Sequence, residues 1–188
     1  MKTIQMEIDG KKIEAAEGTT VLEAARANGI HIPTLCYDER LKPYGSCRVC
    51  MVEIGTGDKA WPVASCVYPV KEGLVVRTDS EKIRRIRRMI AELLWPSAPA
   101  LAKEYGVERS RFVPEQTECF LCGLCMRYCS EIKGKNVLYF KGRGIDRKVA
   151  VIPGQEDECV YCRECFTLCR GGLIVNQCDD AYKTSDAK

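Results

Sequence analysis

Apolar and polar residues alternate from the third position of the chain. TIQMEI at residues 3–8 sets Ile4, Met6 and Ile8 against Thr3, Gln5 and Glu7, the pattern of a half-buried strand. Asp9-Gly10 and KKIEA follow, so the segment predicts a β-hairpin with a tight turn. After Glu17-Gly18 the period lengthens. TTVLEAARANG gathers Val21, Leu22, Ala24 and Ala25 on a helical face, with Thr20 and Glu23 as a capping box and Gly29 as the stop. Residues 49–54 and 74–78 read as further strands. Together these pieces predict a small α+β domain of β-grasp type.

Further on, DSEKIRRIRRMIAELLW places Ile83, Ile86, Ile90 and Leu93 at helical spacing with basic residues between them. Its run from Lys82 to Arg88 is expected to be a solvated face that also meets a partner. Pro96 and Pro99 are expected to end this helix, and LAKEYG to add a turn. VLYFKGRG and RKVAVI predict a short antiparallel pair, and the polar tail is expected to fray.

Composition narrows the chemistry. With 188 residues, 46% hydrophobic content and a formal charge of +3, a disordered chain is not expected. No window approaches the roughly 18 apolar residues of a membrane span. MKTIQMEIDG lacks a signal peptide's apolar core. The expectation is a cytoplasmic protein without a membrane span of its own.

Thirteen cysteines stand beside a single histidine, His31. In a reducing compartment that abundance points to metal rather than disulfides. The scarcity of histidine makes any metal site almost wholly thiolate. It also leaves no Ser/His/Asp constellation. Gly142 and Gly144 are too few to cradle a phosphate, so no catalytic residue is assigned. His31 is expected to pack at the end of the first helix, and Cys178 to be a free thiol.

The cysteine spacings are specific. Cys119, Cys122, Cys125 and Cys129 form C-x2-C-x2-C-x3-C, and Cys159, Cys162, Cys165 and Cys169 repeat it. Three thiolates at such intervals wrap one face of a cubane, and in two-cluster ferredoxins the fourth ligates the other cluster. The expected [4Fe–4S] sets are therefore Cys119, Cys122, Cys125 and Cys169, and Cys159, Cys162, Cys165 and Cys129. Zinc leaves no role for the tight third cysteine. Ser130 and Arg170 stand where a proline often follows the fourth cysteine. Cys36, Cys47, Cys50 and Cys66 give C-x10-C-x2-C-x15-C, suited to one [2Fe–2S] cluster. Gly45 and Ser46 permit a tight loop that would bring backbone N–H groups toward the bridging sulfides. Tyr128, Tyr139, Phe140, Tyr161 and Phe166 are expected to shield the clusters from water.

The segments IPTLCYDERLKPYGSCRVCMVEI, VASCVYPVKEGLVVRT, IRRIRRMIAELL and CGLCMRYCSEIKGKNVLYFKGRG closely resemble the N-terminal iron–sulfur region of the large iron–sulfur subunit of complex I. The electron-input arm of iron-only hydrogenases and the small diaphorase subunit of NAD-reducing hydrogenases share it. This resemblance implies an electron relay without a catalytic site of its own. Its partners would be a flavin/NAD(H)-binding subunit and a catalytic redox subunit such as a hydrogenase or formate dehydrogenase, in a hetero-oligomer. The family normally places a further [4Fe–4S] cluster, held by one histidine and three cysteines, between the two regions. Residues 67–118 contain neither residue type, so that cluster is expected to be absent.

The expected organisation is a [2Fe–2S] β-grasp domain at 1–78, a helical connector at 79–113, a bacterial-type 2[4Fe–4S] ferredoxin domain at 114–178 and a tail at 179–188. Two rival readings are an iron–sulfur subunit of succinate dehydrogenase or fumarate reductase, and a zinc-dependent nucleic-acid-binding module. The C-x10-C loop and two complete repeats weigh against the first. Nucleic-acid binding is not expected, because the basic stripe lacks interleaved aromatics.

Overall fold

The computed structural model describes residues 2–95, 97–112 and 119–169. The chain divides into two compact units. One comprises residues 1–37 and 43–114, the other 38–42 and 115–188. The segment after residue 78 thus groups with the first unit, and a short piece of the cysteine loop groups with the second.

In the first unit, strands β1 (Thr3–Ile8), β2 (Lys11–Ala16), β3 (Met51–Ile54), β4 (Trp61–Ala64) and β5 (Val75–Arg77) form one sheet in the order β2-β1-β5-β3-β4. β1 and β5 are parallel and the other neighbours antiparallel. Ile4, Met6 and Ile8 are buried on β1, Ile13 and Ala15 on β2. Asp9 and Gly10 both have positive φ, 51° and 79°, the mirror-image turn whose twist suits a hairpin. The Asp9 carboxylate accepts from the Thr78 N–H at 2.7 Å and hydroxyl at 2.6 Å, tying the turn to the end of β5.

Helix α1 (Val21–Ala27) starts at the expected box: the Glu23 N–H donates to Thr20 Oγ1 and the Thr20 N–H to Glu23 Oε2. Its Val21, Leu22, Ala24 and Ala25 join Ile8, Val52, Ile54 and Val76 in one core. This is the β-grasp arrangement, a helix packed on a mixed sheet. β3 is shorter than the run 49–54 because Val49 and Cys50 belong to the preceding turn, and β5 spans only Val75–Arg77 of the run 74–78. β4 was not expected from the sequence. Its Pro62 is tolerated because β4 lies at the sheet's edge.

Helix α2 (Glu81–Leu93) is capped by Ser80 and buries Ile83 completely. Ile86 and Ile90 are half-buried. Leu93, expected on the same face, is 58% exposed; Arg87, Ala91 and Glu92 are buried instead. Pro99 does not end α2 but opens α3 (Pro99–Glu104), at the position where a missing N–H is harmless. Pro96 lies outside the described residues. His31, expected to pack at the end of the first helix, is exposed.

In the second unit, α4 (Leu124–Arg127) continues into a π turn at Tyr128–Ile132. The expected antiparallel pair is present as β6 (Leu138–Lys141) and β7 (Lys148–Val151). α5 (Glu156–Cys162) and a 3-10 turn at Glu164–Leu168 follow. The core around Leu124, Val137, Leu138 and Val149 also contains four buried cysteines, Cys125, Cys129, Cys159 and Cys165. Cys178, Arg170 and the polar tail lie outside the described residues. Among the described residues, no helix is long and apolar enough to cross a membrane.

Candidate metal centres

The first candidate centre is carried by the loop between α1 and β3 and by the turn after β4. Cys36, Cys50 and Cys66 are buried and Cys47 is half-buried. Glycine at 45 has φ of 68°, and Arg48 also adopts the left-handed region at 59°. This tight winding turns main-chain donors inward. The Cys47 N–H lies 3.4 Å from Cys36 Sγ, and the Ser46 N–H also points at Cys36. The Gly45 N–H donates to Cys66. Cys47 Sγ accepts from the N–H groups of Val49, Cys36 and Leu35.

These sulfurs also sense one another. Cys47 is pulled down to about 6, chiefly by a hydrogen bond from the Cys36 thiol, with burial opposing. Cys50 is pulled down to about 7, chiefly by a hydrogen bond from Cys66. Cys36 and Cys66 are raised by the same bonds, by burial and by repulsion from the neighbouring sulfur. Four thiolates cannot all ionise here without a cationic core to balance them. Buried thiols surrounded by converging N–H groups therefore fit an iron–sulfur cluster, whose potential such bonds tune.

Arg87 of α2 was missed by sequence reasoning. It sits inside the basic run expected to be solvated, yet is only 3% exposed. Arg84, Arg85 and Arg88 remain exposed. Arg87 Nε donates to the Val49 carbonyl at 3.1 Å, Nη2 to the Met51 carbonyl at 2.6 Å and Nη1 to the Tyr105 hydroxyl at 3.2 Å. Its four-residue spacing from the buried Ile83 was the available signal.

In the second unit the two repeats interleave. Burial pushes the Cys165 thiol up to about 12, with further repulsion from Cys159, Cys129 and Cys162. A cavity is lined by Cys129, Cys159, Cys162 and Cys165 together. Burial also raises Cys125, with repulsion from Cys165, Cys122, Cys169 and Cys119. Cys119 is raised by burial and then by Cys169, while its sulfur accepts from the Leu121 N–H at 3.4 Å. Cys129 thus shares a cavity with the first three cysteines of the other repeat, and Cys169 lies close enough to Cys119 and Cys125 to repel them. Among the described residues, no group of three or more His, Cys, Asp or Glu side chains is disposed to hold a single metal ion.

Side chains tie the repeats independently. The Tyr128 hydroxyl donates to Glu164 Oε2 at 3.0 Å, Lys133 reaches Glu164 Oε1 at 2.5 Å, and Lys135 pairs with Glu158. Tyr128 is buried, while Phe140 and Phe166 are partly buried against the cysteine-rich core. Tyr161, expected to shield a cluster, is 80% exposed on the outer face of α5.

Known proteins resemble the chain along nearly its full length. Residues 1–81 match the family described as a 2Fe-2S iron-sulfur cluster binding domain, and residues 118–172 a 4Fe-4S dicluster domain. The NADPH-Fe(3+) oxidoreductase subunit alpha of Geobacter sulfurreducens is 33% identical over 93% of the chain. The mitochondrial NADH-ubiquinone oxidoreductase 78 kDa subunit of Candida albicans is 27% identical over 93%. The chain spans 24% and 28% of these two relatives. A chain of a crystal structure of NAD+-reducing [NiFe]-hydrogenase superposes with a TM-score of 0.71 at 32% identity, covering 81% of this chain and 76% of that one.

Proposed function

Since the chain belongs to the iron–sulfur electron-transfer subunits related to the NADH-quinone oxidoreductase and NAD-reducing hydrogenase proteins, we propose that it relays single electrons inside a larger oxidoreductase. One neighbour would be a flavin subunit that oxidises NADH or NADPH, the other a low-potential catalytic subunit such as a hydrogenase or formate dehydrogenase. The relatives are subunits of multi-subunit oxidoreductases, which supports a hetero-oligomer, and we place it in the cytoplasm.

The chain carries one [2Fe–2S] and two [4Fe–4S] centres. When bound, such clusters accept and release one electron without transferring atoms. Cys36, Cys47, Cys50 and Cys66 would hold the first, in a domain ending near residue 78. Across the connector, Cys119, Cys122, Cys125 and Cys169 would hold the second, and Cys159, Cys162, Cys165 and Cys129 the third. The observation that carries this assignment is the cavity lined by Cys129 with the three cysteines of the other repeat. The polypeptide's part is to bury the sulfurs, aim N–H groups at them and exclude water.

The function is tested by mixing the anaerobically loaded chain with a flavin-containing subunit that oxidises NADH or NADPH, the nucleotide, and a low-potential dye. Electron paramagnetic resonance signals of reduced clusters should grow only when both flavin subunit and nucleotide are present. Reduction by nucleotide without the flavin subunit, or none with it, overturns the relay.

A further inference from the structure

We propose that Arg87 is a positioning residue for the [2Fe–2S] centre: its buried guanidinium fixes the backbone on both sides of Cys50, and its charge favours the reduced cluster. The proposal rests on the reading that Cys36, Cys47, Cys50 and Cys66 hold that cluster.

The carbonyls bound by Arg87 belong to Val49 and Met51, the residues immediately before and after Cys50. In a trans peptide the C=O and the following N–H point opposite ways. Holding the Val49 carbonyl toward α2 therefore turns the Cys50 N–H away from that helix. One planar fork spans both carbonyls and still has a donor for Tyr105, which a lysine ammonium cannot reproduce. A charge this deeply buried is tolerated only when its donors are satisfied.

All three hydrogen-bonded partners are neutral, so none cancels the charge. Asp79 feels Arg87 electrostatically, but its carboxylate is engaged by Arg84. Adding an electron to a cluster beside a positive charge is favourable, and burial weakens the screening of that attraction. Geometry and charge are separate contributions that two substitutions can divide.

The full-length protein, loaded anaerobically, is prepared as wild type, Arg87→Met and Arg87→Lys, each with all cysteines intact. Iron content and visible spectrum establish loading. The [2Fe–2S] midpoint is read by electron paramagnetic resonance during titration with dithionite. At the wild-type midpoint, Arg87→Met should raise the oxidised-to-reduced ratio about tenfold, a shift of about 59 mV for one electron. Arg87→Lys should keep the midpoint near wild type but release iron to a chelator faster. A wild-type midpoint in Arg87→Met, or an equal drop in both variants, overturns the proposal. If Arg87→Met does not load, Arg87→Lys decides: a held midpoint with faster iron release supports it, and unchanged release overturns it. The ligand reading fails separately, if Cys47→Ser retains a wild-type [2Fe–2S] signal.

Discussion

On the ligand sets proposed above, the single sulfur of Cys129 would join its repeat to the cluster of the other. Its neighbours are the cysteines of the other repeat. Cys129→Ser should therefore disturb the cluster of Cys159, Cys162 and Cys165 before that of Cys119, Cys122 and Cys125. Resonance Raman or Mössbauer spectra of the loaded variant would distinguish them, and selective loss at the Cys119 set would reject the exchange. Glycine at 142 makes a different demand. It turns β6 toward β7 at φ of 80°, and a Cβ there would collide with the Asp146 carbonyl. Gly142→Ala should cost the second unit more than about 1 kcal/mol, visible as a lower unfolding midpoint of the loaded protein. The cluster types were legible because cysteine spacing is local. Arg87 was not, because a charged residue reads as solvated until the loop that receives it is folded. Tyr161 misleads in the opposite sense: an aromatic beside a candidate ligand reads as a shield, but the turn of α5 leaves it exposed.

Among the elements, the hairpin, α1 and the β6–β7 pair were legible, since each has a strong period and its own turn or cap. β4 was not, because its four residues include Pro62 and its partner β3 lies across the turn at residues 55–60. α2 was legible as a helix, but its buried face was only partly so. Glu92 belongs to that face and is held by Arg111 at 2.7 and 2.8 Å. The side-chain bond from Arg111, then its N–H, draw the Glu92 carboxyl down to about 2 from an ordinary 4.5. A depressed folded-state value stabilises the folded form above 4.5, and this contribution is lost as pH falls toward 2. Amide exchange of residues 109–112, corrected for intrinsic rate, should accelerate across that window. Glu92→Gln should already exchange faster at pH 5 and show a flatter acid limb; parallel profiles would mean that the ion pair does not hold this segment.

At the scale of the molecule, the two units differ in what fills them. The first has a broad aliphatic core in which Cys50 and Cys66 are minor members. The second has a small core of which buried cysteines are a large part, so metal ligation contributes more directly to its folding. Anaerobic chelation should strip far-UV structure from the second unit while the first keeps its cooperative melt; simultaneous loss would contradict this. The loaded chain should contain ten irons, two in one centre and four in each of the others. A value near fourteen would restore a fourth centre. The fold class was legible at this scale because each half carries its own pattern. The division of the chain was less so, since nothing local in residues 38–42 announces that they pack away from their sequence neighbours.

That short segment has a bearing on how such proteins are cut and recombined. Leu41 is buried in the core of the second unit, the Lys42 N–H donates to Glu131, and Arg127 donates back to the Lys42 carbonyl. The backbone therefore passes between the units three times rather than once. A protease nick near residue 115 would leave a fragment that still supplies part of the other half's interior. Two matched domains look like beads for a gene fusion to exchange at their junction. A transplanted dicluster half would arrive without its own version of Leu41, so exchange must carry the distant loop along with it.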